Sequence, residues 1–225
     1  MSEVVIRTEK VTRILSGEVP VTLVRDVDVE IKRSEFVVIS GPSGSGKSSL
    51  LYLLGLLDTP TSGKIWLMGQ DTSSFDEDQL ADVRLSKIGF VFQFHFLLPE
   101  FSALENVMLP MRRLNKLPES EVEDRARSLL VDLGLEKQLN NLPKQLSGGQ
   151  SQRVAIARAL ANDPSIILAD EPTGNLDTAS SKNVEGILRE LSEKHGRAVM
   201  VVTHEARLAE NADRTIRIVD GRVQA

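Results

Sequence analysis

The sequence predicts an α/β fold: a mainly parallel sheet core, an antiparallel N-terminal β subdomain, and a helical subdomain inserted into the core. Three observations carry that expectation. Residues 1 to about 35 alternate apolar and polar side chains (Val19, Val21, Leu23, then Val27, Val29, Ile31), the pattern of half-buried antiparallel strands. Three later runs, Phe36–Ile39, Ile166–Ala169 and Val199–Val202, are continuously apolar, as strands covered on both faces are. Between the first two of these lies a stretch, about 94 to 164, with apolar residues at helical spacing.

In chain order, Phe36–Ile39 runs into a glycine-rich loop and then a helix from Lys47 to about Leu57. Lys64–Met68 and Lys87–Phe92 read as further strands. In the middle, Ser120 and Glu123 have capping-box spacing behind Pro118. Val122, Ala126, Leu129, Leu130 and Leu133 then share one helical face before Gly134 ends the helix. A second helix, Gln150 to about Leu160, is closed by Asn162-Asp163-Pro164. The core resumes with Ile166–Ala169, a helix from about Ser180 to Lys194, and Val199–Val202; Asp220-Gly221 suits a hairpin turn between Ile216–Ile218 and Arg222-Val223. No internal repeat or low-complexity linker interrupts the chain. The expectation is one domain over 1–225, with a core of 1–93 and 165–225 and a helical subdomain of about 94–164.

Composition narrows the function classes. The chain has 225 residues, 41% hydrophobic and 26% charged, enough to bury a substantial core. A net charge of -5 lacks the basic excess that holds nucleic acid, so DNA and RNA are poor partners. Without cysteine there is neither a disulfide framework nor a thiolate metal site. The opening residues do not read as a signal peptide, and the most apolar stretch, Leu50–Leu57, is far shorter than the roughly 20 residues that cross a bilayer. A membrane path is therefore not expected from this chain itself.

GPSGSGKS at Gly41–Ser48 fits the phosphate-loop pattern G-x-x-x-x-G-K-[ST] in its required strand-to-helix context. Gly41, Gly44 and Gly46 let the backbone wrap an anion; Pro42, Ser43, Ser45 and Ser49 belong to the same expected cradle, in which every residue but Pro42 brings an N–H group. Lys47 is expected against the β- and γ-phosphates, and Ser48 is expected to give its hydroxyl to Mg²⁺. Asp170, ending an apolar strand, has the usual position of a carboxylate that holds Mg²⁺ directly or through water.

Downstream of the phosphate loop and just before that strand stands Leu146-Ser147-Gly148-Gly149-Gln150, or LSGGQ. The order of these motifs resembles the nucleotide-binding subunit of an ATP-binding-cassette (ABC) transporter, and the resemblance covers almost the whole chain. It implies a phosphate-loop ABC ATPase fold and Mg²⁺-dependent ATP hydrolysis. It further implies that Glu171 polarises the attacking water, that Gln93 reaches Mg²⁺ and that water, and that His204 contacts the γ-phosphate. The signature opens a second helix N-terminus, yet the phosphate loop already claims the phosphates. The family resolves this with a head-to-tail, ATP-dependent homodimer. Ser147, Gly148, Gly149 and Gln150 of one subunit then close over the nucleotide of the other, with Asp177 at the interface. Two positions depart from the family. The register implied by Val27–Ser40 puts Ile14 where an aromatic usually stacks on adenine, a stack worth roughly 1 kcal/mol, which weakens the expected preference for ATP over GTP. Ser151 stands where many relatives carry Gln or Arg.

Five of the seven phenylalanines fall between Phe90 and Phe101. Phe94–Phe101 opens the helical subdomain, where ABC subunits receive a short helix of their membrane partner. FHFLLPEFSALENV, LLGLLDTPTSG (Leu53–Gly63) and ADEPTGNLD (Ala169–Asp177) look like the ATPase of a lipoprotein-releasing (Lol-type) exporter. That resemblance implies a peripheral subunit at the cytoplasmic face of the inner membrane, driving permease subunits and touching lipoprotein cargo only through them. ATPases of macrolide or peptide efflux exporters, or of a cell-division complex, serve similar membrane subunits and remain open as alternatives, with a soluble non-transport ABC protein behind them.

Overall fold

The computed structural model describes residues 3–224; Met1, Ser2 and Ala225, which the one-domain reading also spans, lie outside the described residues. The chain divides into two compact units, residues 1–81 with 189–225, and residues 82–188.

The first unit opens with β1 (Val4–Leu15), β2 (Val21–Val27), β3 (Glu30–Lys32), β4 (Phe36–Ser40), α1 (Lys47–Leu54), β5 (Ser62–Leu67) and β6 (Gln70–Asp71). β1 pairs antiparallel with β2, β3 and β5, and β5 with β6, giving the expected antiparallel N-terminal sheet. The buried Thr8 satisfies the chain where β2 gives way to β3: its hydroxyl donates to the Val27 carbonyl at 3.0 Å and accepts from Val29 N–H at 2.9 Å. Helix α1 stops at Leu54, short of the expected Leu57, because Leu56 adopts a left-handed φ of 58° after the cap residue Gly55.

Helix α2 (Glu77–Lys87) carries the chain into the second unit, which contains β7 (Ile88–Phe92), α3 (Ala103–Leu114), α4 (Glu119–Asp132), α5 (Gly148–Leu160) and β8 (Ile166–Asp170); α6 (Thr178–Glu193) leads back. β7 and β8 pair in parallel, with Phe92 opposite Asp170. The helical subdomain packs Val107, Met108 and Met111 of α3 against Val122, Ala126 and Leu130 of α4 and Val154 of α5. The expected capping box of Ser120 and Glu123 does not form. Pro118 occupies the cap, its carbonyl accepting from Val122 N–H at 3.1 Å, so Ser120 lies inside the first turn and has no end to cap. The capping boxes of this unit are Ser102 with Glu105 at α3 and Ser147 with Gln150 at α5.

The first unit closes with β9 (Ala198–Val202), α7 (Ala206–Glu210), β10 (Arg214–Val219) and β11 (Arg222–Val223). β4 lies between β9 and β10, parallel to both, which explains why all of Phe36–Ile39 is buried. The β10–β11 hairpin turns through Asp220 (φ 48°) and Gly221 (φ 75°) as the sequence predicts. It also props the glycine-rich loop. Gly221 N–H donates to the Ser45 carbonyl at 2.9 Å, and a Cβ on Gly41 would sit 2.0 Å from the Ile218 carbonyl oxygen.

Candidate functional site

In the first unit, buried β4 delivers the chain into the loop Gly41–Gly46 and then α1. Gly44 (φ 74°) and Gly46 (φ 100°) take left-handed backbone, and a Cβ on Gly46 would lie 2.2 Å from the Leu23 carbonyl oxygen, so this position excludes any side chain. The Lys47 ammonium folds back over the loop and donates to the carbonyls of Gly41 (3.0 Å) and Pro42 (2.9 Å). Two of its three N–H donors are thus used, and a third is available to an anion. Ser48 and Ser49 follow in the first turn of α1, where the helix dipole favours negative charge. Ile39 pairs with Val202, so this loop and the exposed His204 issue from the same end of neighbouring parallel strands.

Near the end of β1 lies Ile14, the residue that the implied register assigns to the base. Bulges flank Arg13 on β1, and it is Leu15 that is exposed, while Ile14 is half-buried with its N–H bonded to the Thr61 hydroxyl at 3.0 Å. Neither is aromatic.

In the second unit, the register Phe92↔Asp170 sets Gln93 and Glu171 side by side as they leave β7 and β8. Glu171 has a left-handed φ of 47°, a conformation that costs a non-glycine residue energy and persists only where its surroundings hold it. Gln93 donates its amide to Asn175 Oδ1 at 3.1 Å, which leaves its amide oxygen to face a cation. A Cβ on Gly174 would approach the Gln93 amide nitrogen to 2.8 Å, so glycine there keeps room for Gln93. The Gln93 amide oxygen and the Asp170 carboxylate are both hard oxygen donors, the kind that Mg²⁺ takes.

Ser147 caps α5: its oxygen accepts from Gln150 N–H at 3.2 Å and Gln150 Oε1 accepts from Ser147 N–H at 2.8 Å. The Ser147 O–H hydrogen stays available to donate, at a helix N-terminus where Gly148 adds no side chain. Gly149 is buried, and a Cβ there would meet Ser180 Oγ at 2.5 Å. Asp177 accepts from Ala179 N–H (3.0 Å), Ser180 N–H (2.9 Å) and the Ser180 hydroxyl (2.8 Å). These bonds, those from Ser180 first, hold its carboxyl below the usual range. Ser147, Gly149, Arg153, Ala179, Ser180 and Asn183 line an open depression of about 280 Å³ between α5 and α6.

The phenylalanine segment is partly a surface. Phe94 is 67% exposed, Phe96 60% and Leu98 43%, whereas Phe92 stacks with Phe90 and meets Phe96 edge-on. Two residues that the sequence reading passed over hold this segment. Arg158 of α5 donates to the carbonyls of Phe96 and His95, each at 2.6 Å, and both of those residues have left-handed φ, 49° and 56°. Buried Asn106 of α3 donates to the carbonyls of Leu98, Phe101 and Ser102 and accepts from Leu98 N–H. Burial, then the Arg158 charge, holds the His95 imidazole below its ordinary pKa. An arginine within the otherwise apolar Val154–Leu160 was the available signal for Arg158. Hydrogen bonds from a charged donor contribute about 1.5–3 kcal/mol each. Arg158→Ala is therefore expected to destabilise the protein by about 2–4 kcal/mol in denaturant unfolding and to speed amide hydrogen exchange over residues 94–98.

Residues 24–174 match the sequence profile of the family described as ABC transporter. The chain belongs to the ABC transporter family. This cassette is 47% identical to the lipoprotein-releasing system ATP-binding protein LolD 1 of Chlorobium chlorochromatii, over 99% of its own length and 92% of that protein. It is 48% identical to LolD of Aquifex aeolicus, over 97% of the cassette and 96% of the relative. Among solved structures, the ATP-binding cassette MJ0796, described as a dimer in a post-hydrolysis state bound to ADP and Pi, superposes with a TM-score of 0.91 at 43% identity, covering 98% of this chain and 97% of that one. The cassette is accordingly an ABC-type ATPase, with the mixed sheets and helical subdomain of that fold.

Proposed function

We propose that this cassette is the ATP-hydrolysing subunit of a lipoprotein-releasing system, working as a head-to-tail homodimer on partner membrane subunits at the cytoplasmic face of the inner membrane. The observation that carries the reading is the likeness to LolD proteins over nearly the whole chain. Among the described residues, no helix is long and apolar enough to cross a membrane, which agrees with a membrane path supplied by other chains.

In this reading the loop Gly41–Gly46 with Lys47, Ser48 and Ser49 binds the triphosphate through backbone N–H groups, the α1 dipole and the Lys47 ammonium. Ser48, Asp170 and Gln93 hold Mg²⁺. When bound, that ion neutralises charge on the phosphate oxygens. Glu171 accepts the proton of the attacking water, Gln93 orients that water, and His204 donates to the γ-phosphate. Ser147, Gly148, Gly149 and Gln150 of the second copy supply the α5 N-terminus and the Ser147 O–H to the same phosphate, and Asp177 lies at the copy-to-copy interface. Each site is then complete only in the closed dimer, so hydrolysis is coupled to closing and opening. Exposed Phe94, Phe96 and Leu98 give the apolar surface on which a partner helix docks.

Phe94→Asp with Phe96→Asp tests the docking surface. Phosphate release by the isolated cassette is expected to persist, while co-purification of membrane subunits is lost. Unchanged recovery of those subunits would contradict the assignment.

A further inference from the structure

We infer that Gln152 is a positioning residue that ties the signature helix α5 to Gln93 and Glu171 at once; the inference rests on the catalytic reading of those two residues. The Gln152 side chain is fully buried. Its amide nitrogen donates to the Pro172 carbonyl at 2.7 Å and to the Phe92 carbonyl at 3.4 Å. Phe92 immediately precedes Gln93, and Pro172 immediately follows Glu171.

The Phe92 carbonyl stands at the last ladder pair, Phe92↔Asp170, and also accepts from His95 N–H at 3.3 Å, while the Pro172 carbonyl lies past that pair. Pro172 has no N–H, and its carbonyl is its sole backbone hydrogen-bonding group. One side-chain NH₂, with two hydrogens, serves both strand ends. The Glu171 backbone, left-handed at φ 47°, is thereby pinned on its C-terminal side.

The other half of the amide argues against a purely packing role. Gln152 Oε1 is buried without a hydrogen-bond partner, which costs stability. Methionine would fill the same space without that orphan oxygen. An amide therefore serves this position through its donor. Ser147, Gly148 and Gly149 begin the helix that carries Gln152, roughly one turn away. A phosphate engaging that N-terminus pulls on the same rigid element that fixes the two water-handling residues.

The test compares Gln152→Met, which keeps volume and loses the donor, with Gln152→Glu, which keeps shape and puts an acceptor against the two carbonyls. ATP turnover and ATP-induced dimerisation are measured in the full chain, with Glu171→Gln assayed alongside. The expected result is a kcat lower by tenfold or more in both variants, a KM for ATP within twofold, and a melting temperature within a few degrees for Gln152→Met. A kcat within twofold of the parent in Gln152→Met, with Glu171→Gln inactive, overturns the positioning role alone. So does a joint loss of kcat, ATP affinity and melting temperature in both variants, which would mark Gln152 as packing only. Full turnover by Glu171→Gln would instead remove the catalytic reading of Glu171, and this inference with it.

Discussion

Glu171→Gln is expected to bind ATP and close into a dimer while phosphate release falls by about 10²–10⁴-fold, the usual contribution of a positioned general base. The amide keeps the size and hydrogen-bonding reach of the carboxylate but cannot take the water's proton. The phosphate loop, the Lys47 ammonium and the Ser147 cap are untouched, so binding persists. Size-exclusion chromatography with Mg·ATP, paired with a phosphate-release assay, checks both halves. A monomer under those conditions would contradict the two-copy site, and undiminished release would contradict the role of Glu171.

Lys47→Ala should act at the opposite step. The ammonium bonds across the loop to the carbonyls of Gly41 and Pro42, which leaves one N–H to donate to a phosphate. Charge-assisted hydrogen bonds contribute about 1.5–3 kcal/mol each, so ATP affinity is expected to fall by at least about tenfold to a hundredfold. ATP should then raise the melting temperature of the parent and not of this variant. Retained affinity by titration calorimetry would mean that the loop is not the nucleotide site. The pair of variants separates binding from chemistry: one loses the ligand, the other keeps it unreacted.

The parts of the site that could be read from the sequence are those that announce themselves locally. GPSGSGKS sits between a buried strand and a helix because its glycines are needed where the backbone passes within 2.2 Å of where a Gly46 Cβ would lie. Asp170 and Glu171 follow Ile166–Ala169, a run that only a doubly covered strand explains. LSGGQ reads as a helix cap, and Ser147 with Gln150 forms one.

What escaped the sequence depends on backbone geometry or on partners far along the chain. The bulges flanking Arg13, and the half-burial of Ile14 beside them, come from pairing between β1 and β2 that no spacing in the sequence shows. Leu56 turns left-handed one residue after the cap Gly55, inside an apolar run that otherwise continues at helical spacing to Leu57. Pro118 takes the cap that Ser120 and Glu123 appeared spaced to form. Gln152, Arg158 and Asn106 each bond to carbonyls of other segments. Side chain-to-carbonyl bonds of this kind leave no spacing pattern behind, only a polar residue among apolar neighbours.

The most direct test of the account as a whole is to express tagged Glu171→Gln in its native cell, solubilise membranes with ATP present, and identify the co-purifying proteins by mass spectrometry. A pair of membrane subunits carrying bound lipoprotein is the expected result. Recovery of a single permease with a drug-efflux accessory chain, or of ribosomal or DNA-bound proteins, would contradict lipoprotein release as the work this ATPase drives.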